Sequence, residues 1–167
     1  RLDLSALERF RGVRRRQEVR AEREDLVVIE DFGHHPTAIA QTLESLRRRF
    51  PGCRLIAAFE PRSNTARTRV LQDRFQAALA GADVVLLGPV NRADRLAADE
   101  RFDTAAVAAG LRAAGREARA PDTNAGVLDA LKAEAQTGAP GRRVVVFFSN
   151  GAFDGIIGAF ADWVAAR

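Results

Sequence analysis

The chain has 167 residues, the length of one ordinary domain, and 47% of them are apolar, enough to bury a real core. Its net charge of +4 rests on arginine, with Lys132 the single lysine, and the basic residues are spread along the chain with few aromatics among them, which argues against a nucleic-acid surface. The single Cys53 rules out a disulfide framework or a four-thiolate metal site and fits a reducing, cytoplasmic compartment; there is no membrane-spanning apolar run and no signal-peptide pattern.

In chain order, residues 4–10 predict a short helix that Gly12 breaks. A charge-dense stretch, residues 13–23, follows, and its alternating part, residues 17–20, predicts an edge strand in a hairpin with the apolar run 27–29. That run is rich in β-branched residues and reads as a buried strand. It turns polar at Glu30-Asp31 and passes through Phe32-Gly33-His34-His35 to Pro36, which suits the first turn of a helix. Ile39, Leu43, Leu46 and Phe50 then form one apolar stripe at helical spacing. After the turn Pro51-Gly52, residues 54–59 make a second strand, ending in the polar run Glu60-Pro61-Arg62-Ser63-Asn64-Thr65. A helix is expected over 68–80, with Val70, Leu71, Phe75 and Leu79 facing inward. A strand over 82–87 ends in Gly88-Pro89-Val90-Asn91, and Asp103 is placed to cap a helix running to residue 114. A short strand at 117–120, a helix capped by Asp122 or Thr123, a very hydrophobic strand at 143–148 ending in Ser149-Asn150-Gly151, and a helix over 154–166 complete the chain.

Strands that alternate with helices and read as continuous apolar runs imply an α/β fold: a Rossmann-like, mostly parallel sheet of about six strands with helices on both faces. Residues 1–25 read as a linker and edge hairpin from a preceding domain, and residues 26–167 as the domain itself. The chain does not begin with Met, which suggests a piece of a longer protein.

Three strand ends carry polar clusters: Asp31 with His34 and His35, residues 60–65, and residues 149–151. In a parallel sheet such ends share one edge, where ligands bind. Each loop alone also has a plainer reading as turn chemistry, with Asp, Ser and Asn bonding their own backbone. Other constellations are lacking. Adjacent histidines chelate poorly, HExxH spacing is absent, and no metal site is expected. Neither GxGxxG nor GxxxxGK(S/T) occurs, no GxSxG elbow surrounds Ser63 or Ser149, and Cys53 sits where a buried strand begins.

The run Asp31-Phe32-Gly33-His34-His35-Pro36-Thr37 resembles the D-Y/F-G/A-H-H-P-T loop of the Mur ligases, the ATP-dependent amide ligases of peptidoglycan synthesis. Phe10-Arg11-Gly12-Val13-Arg14-Arg15-Arg16 resembles the F-x-G-V-x-R-R approach to their C-terminal domain. Glu60-Pro61-Arg62-Ser63-Asn64-Thr65 and Ser149-Asn150-Gly151-Ala152-Phe153 look like the branch that recycles cell-wall peptide, joining L-alanyl-γ-D-glutamyl-meso-diaminopimelate to UDP-N-acetylmuramate. The alanine-adding branch has an Arg- and Tyr-containing sequence where EPRSNT stands. The resemblance covers almost all of this chain but only about the last third of such an enzyme.

The resemblance implies a domain that closes over its own central ATPase domain and brings in the acceptor, with an acyl phosphate as intermediate. Arg16 would reach ATP phosphates, Asp31 would bond the ribose and Phe32 would lie near the base. His34 and His35 would line the junction of nucleotide and substrates, Arg62 and Asn64 would hold the acceptor peptide, and Ser149 and Asn150 would flank it. ATP and Mg²⁺ would serve the full-length enzyme, with neither held tightly by this chain alone. Phe32 stands where Tyr is commoner, and Glu30 where a second Asp is frequent. The family's phosphate loop belongs to the central domain, so this chain by itself is expected to be inactive. The rival expectation is a non-catalytic Rossmann-like module that binds a nucleotide or an anionic metabolite. No membrane and no nucleic-acid partner is expected.

Overall fold

The computed structural model describes residues 13–137 and 141–167. The helix expected over 4–10, its break at Gly12 and the Phe10-Arg11-Gly12 part of the entry motif lie outside these residues. Strands β1 (Glu18–Glu22), β2 (Leu26–Asp31), β3 (Arg54–Phe59), β4 (Val84–Leu87), β5 (Glu117–Arg119) and β6 (Arg143–Phe148) alternate with helices α1 (Pro36–Arg49), α2 (Gln72–Leu79), α3 (Thr104–Ala113), α4 (Asn124–Gln136) and α5 (Ile156–Ala165). They form one six-stranded sheet in the order β1-β2-β6-β3-β4-β5. Only β1 is antiparallel, as the charged hairpin pattern predicts, and its pairing with β2 slips by one residue between Val19 and Ala21. Six Rossmann-like strands with helices on both faces are the architecture expected from the alternating pattern.

The strand pleat explains the two layers, because successive side chains point to opposite faces. Val27, Ile29, Ala57, Phe59, Val144 and Val146 pack with Ile39, Leu43 and Leu46 of α1 and with Phe75 and Leu79 of α2. Leu26, Val28, Ile56, Ala58, Val145 and Phe147 pack on the other face with Val127 and Leu131 of α4 and with Phe160 and Val164 of α5. Helix α1 starts as its sequence suggests. Pro36 occupies the first turn, where no N–H is needed, the His35 side chain accepts from Thr37 N at 3.4 Å, and Arg47, Arg48 and Arg49 meet the negative end of the helix dipole. Asp103 and Thr123 cap α3 and α4, accepting from Ala106 N at 2.9 Å and Gly126 N at 3.0 Å.

One expectation fails at the start of α2. Residues 69–71 form a 3-10 turn rather than the first turn of an α-helix, and Val70 is 80% exposed instead of facing inward. Thr68 is drawn into a bridge with Arg101, and a turn of three residues rotates Val70 outward. Phe102 takes the interior place, edge-on to Phe59 and Phe75 at 6.1 and 5.8 Å. Its N–H donates to Arg67 O at 2.8 Å, so the long segment after β4 is pinned beside the loop after β3.

Asp83, just before β4, ties the opposite edge of the sheet. It accepts from Arg47 Nη2 at 2.6 Å and from Leu55 N at 2.8 Å. Burial pushes its pKa up, but the Arg47 hydrogen bond, the Leu55 N–H and the charges of Arg47 and Arg116 outweigh burial and hold the carboxyl below its ordinary value. A carboxyl lowered in the folded state gives stability that is complete above its unfolded pKa and is lost as pH falls through the folded one. Asp83→Asn is therefore expected to flatten the acid limb of a plot of urea midpoint against pH, taken from about pH 7 to about pH 3. An acid limb identical to the parent's would remove Asp83 as a contributor.

Candidate functional site

Strands β2, β6 and β3 are neighbours, and their last residues are level: Asp31 pairs with Phe148, which also pairs with Phe59. The three polar loops that follow these strands therefore stand side by side. The segment before β1 and the loop after β4 flank them.

On the β2 side, Asp31 is 3% exposed. Its Oδ1 accepts from Gly33 N at 2.7 Å and its Oδ2 from Gln17 N at 3.0 Å. This carboxylate, expected to bond a ribose, has part of its hydrogen-bonding capacity committed within the protein. It also shapes its own loop, although a carboxylate can accept about four hydrogen bonds and two are used here. A Cβ on Gly33 would lie 2.8 Å from Asp31 Oδ1, so the tight turn needs glycine. Arg16 is exposed and lines a cleft of about 880 Å³ with Asp31, Gln17, Glu18, Gln41, Thr42 and Arg49. The Arg15 and Arg16 guanidinium carbons lie 5.0 and 5.3 Å from the centroid of the half-buried Phe32 ring, within cation–π range. His34 Nδ1 is 3.0 Å from Phe32 O and its ring meets Phe32 edge-on at 5.2 Å. His35 is exposed and caps α1, so the two histidines do different things.

On the β3 and β6 side, Glu60 and Ser149 form a buried pair. Glu60 is 2% exposed and Ser149 Oγ donates to its Oε2. Gly151 N donates back to Ser149 Oγ at 2.8 Å. The Ser149 hydroxyl is therefore committed within the protein rather than offered to a ligand. Arg62 Nη1 lies 3.5 Å from Glu60 Oε1, longer than the ~2.7–2.9 Å of a well-made charge-assisted bond. Its side chain lies directly over Gly151, where a Cβ would come within 2.2 Å of Arg62 Nε. Arg62, Ser63, Asn64, Arg67, Asn91, Arg92 and Asn150 line one cavity of about 390 Å³. Arg67 Nη2 donates to Asn64 Oδ1 at 2.9 Å. Asn150 Oδ1 and Arg67 Nε are buried and have no hydrogen-bond partner among the described residues. Arg92 is left-handed, with φ +52.

Sequence reasoning had placed Arg62, Asn64 and Asn150 together, and they share this cavity. The cavity also takes Arg67 and Arg92, which no sequence pattern singles out, and Asn91, which reads only as the end of the run after the strand over 82–87. Glu30 and Glu60 were also missed as paired acids. Glu30 is 5% exposed in β2 and holds Arg15 Nε at 2.7 Å and Arg20 Nη1 at 2.5 Å. An acid at the end of an otherwise apolar strand was the available signal for both. No three His, Cys, Asp or Glu side chains among the described residues are placed to share a metal ion. No helix among them is long and apolar enough to cross a membrane.

The sequence profile of the Mur ligase, glutamate ligase domain matches residues 15–151. With this fold and these loops, the chain belongs to the Mur ligase family, as its C-terminal domain. The UDP-N-acetylmuramate–L-alanine ligase of Desulforapulum autotrophicum is 38% identical over 85 residues, 51% of this chain and 18% of that protein. The UDP-N-acetylmuramate–L-alanyl-γ-D-glutamyl-meso-2,6-diaminoheptandioate ligase of Escherichia coli is 45% identical over 84 residues, 50% of this chain and 18% of that protein. The crystal structure of a murein peptide ligase from Psychrobacter arcticus is similar with a TM-score of 0.73 and 26% identity, over 98% of this chain and 32% of that one. The chain thus spans about a third of the length of that solved relative.

Proposed function

We propose that this chain is the acceptor-delivering, nucleotide-closing domain of a cytoplasmic murein peptide ligase, residues 26–167 forming the domain proper. The full-length enzyme would join L-alanyl-γ-D-glutamyl-meso-diaminopimelate to UDP-N-acetylmuramate during recycling of cell-wall peptide. One observation carries this reading: the cavity that gathers Arg62, Arg67 and Arg92 with Asn64, Asn91 and Asn150 from the loops after β3, β4 and β6. Guanidinium groups match carboxylates in planar, two-point geometry, and a tripeptide ending in diaminopimelate carries several carboxylates. Asn150 Oδ1 and Arg67 Nε, buried without partners among the described residues, suit a ligand that brings its own polar groups.

The cleft shared by Arg16 and Asp31 is of nucleotide size, with a cation, a carboxylate and the nearby Phe32 ring as the groups a phosphate, a ribose and a base require. Arg16, Asp31 and Phe32 would hold ATP, with His34 and His35 at the junction with the substrates. The nucleotide supplies the phosphoryl group that activates the UDP-sugar carboxylate, and Mg²⁺ would be held mainly outside this chain. Arg62 and Asn64 then orient the peptide so that its free amine meets the activated carboxyl. Orientation of this kind, together with stabilised phosphoryl charge, is how such a domain contributes to rate.

Two purified proteins test the reading. The full-length enzyme should convert UDP-N-acetylmuramate, ATP and the tripeptide into the UDP-N-acetylmuramoyl tripeptide, ADP and phosphate. The present chain should unfold cooperatively in urea yet show neither ATP hydrolysis nor ligation. Turnover by this chain, or a full-length protein that binds nucleotide without ligating, would replace the ligase-domain reading, the latter in favour of a binding module.

A further inference from the structure

The segment leading into β1 touches both sides of the site at once. Arg15 and Gln17 are left-handed, with φ +58 and +47, a conformation uncommon outside glycine. Arg15 N donates to Glu18 Oε2 at 2.7 Å, Arg15 O accepts from Phe32 N at 2.7 Å, and Gln17 N bonds Asp31. The contorted backbone is thus held by β1 and by the loop after β2. From it the Arg15 side chain reaches across the sheet edge. Its Nε donates to Glu30 Oε1 at 2.7 Å, and its Nη2 donates to Ser149 O at 2.9 Å and to Gly151 O at 2.6 Å.

We propose that Arg15 is a positioning residue for the acceptor pocket: it clamps the turn at 149–151 and so fixes the seat on which Arg62 rests. The links are consecutive. Arg15 holds the carbonyls of Ser149 and Gly151. Gly151 lies directly under Arg62, and the Ser149 hydroxyl binds Glu60, which faces Arg62. A turn released from Arg15 moves the glycine floor and the Ser149–Glu60 pair together, and Arg62 with them. The path of the segment entering the domain thereby sets the geometry of a pocket whose floor comes from the far end of the chain. A guanidinium is needed because three acceptors must be met in one plane, and an ammonium on a flexible stem cannot hold that arrangement. The identity of the ligand rests on the tripeptide reading above; the clamp does not.

The test uses Arg15→Lys and Arg15→Ala in the full-length protein. Amide hydrogen exchange across residues 149–153 should rise at least about tenfold in Arg15→Lys, with exchange in α4 unchanged. In the same protein the KM for the tripeptide should rise about tenfold with kcat little altered, and in an Arg62→Ala background Arg15→Lys should add less than about twofold. A purely structural role would instead lower stability and active fraction, reducing kcat and leaving peptide KM in place. Unchanged exchange at 149–153 overturns the clamp, and so does a KM effect that multiplies independently with Arg62→Ala. Faster loop exchange in a protein whose parent never ligates the tripeptide supports the clamp and removes the ligase reading instead. Arg15→Lys keeps the charge beside Glu30, so the test stands if Arg15→Ala fails to fold.

Discussion

Replacing Arg62 by Lys in the full-length enzyme should raise the KM for the acceptor tripeptide nearly as far as replacing it by Ala, on the order of 10- to 100-fold. Lysine keeps the charge and loses the planar fork. The competing account is that Arg62 merely pairs with Glu60, and a single 3.5 Å approach is too long for that to be its main duty. If the ion pair were its only role, lysine would substitute well, since an ammonium can meet a single carboxylate oxygen as readily as one arm of a guanidinium does. ATP and UDP-sugar affinities should change little, because the contact is uniform binding to one substrate. Gly151→Ala should act in the same direction without touching any charge, because its Cβ would overlap the Arg62 side chain. Steady-state kinetics decide it, and a parental peptide KM in Arg62→Lys would refute a two-point carboxylate contact.

Glu30→Ala should be the most damaging change to the fold within the site, costing about 3 kcal/mol. The side chain is buried in β2 and neutralises two arginines, Arg15 and Arg20, drawn from the antiparallel edge. Its removal leaves both guanidinium groups without their shared carboxylate while they remain only about one-third exposed, at 28% and 34%, which keeps the cost at the lower end for a broken buried pair. Urea unfolding should show a lower midpoint with an unchanged slope. A midpoint equal to the parent's would mean that the triad adds nothing to stability.

The parts of this molecule that could be read from its sequence are those settled by local pattern. Residues 26–29 and 144–148 are buried on both faces and so appear as unbroken apolar runs. Pro36 and the stripe Ile39, Leu43, Leu46 mark α1 by themselves. Val70 misled because its spacing fits a helix, while the bridge from Thr68 to Arg101, a contact across the loop, decides its direction. Arg15 looked like one more member of a solvated charge run. Its partners Ser149 and Gly151 lie 134 and 136 residues away, and only the strand order brings them to it. The polar loops could be foreseen as neighbours, but not that Glu60 and Ser149 would spend their polar atoms on each other. That depended on β3 and β6 being adjacent and in register.

The placement of β6 between β2 and β3 has a bearing on how the protein comes into being. Synthesis runs from the amino end, so the ribosome releases the middle of the sheet last. Until Arg143–Phe148 emerges, β2 and β3 have no strand to join them, and each offers an open hydrophobic edge. Pairings of this sequence separation form slowly and leave such edges exposed meanwhile, a state that invites chaperone capture or self-association. The turn directly after this late strand carries Gly151, on which the Arg62 side chain rests. A chain interrupted before residue 143 would hold Arg62, Asn64, Arg67 and Arg92 without Asn150 and Gly151, so the cavity they line is completed only after the sixth strand has emerged.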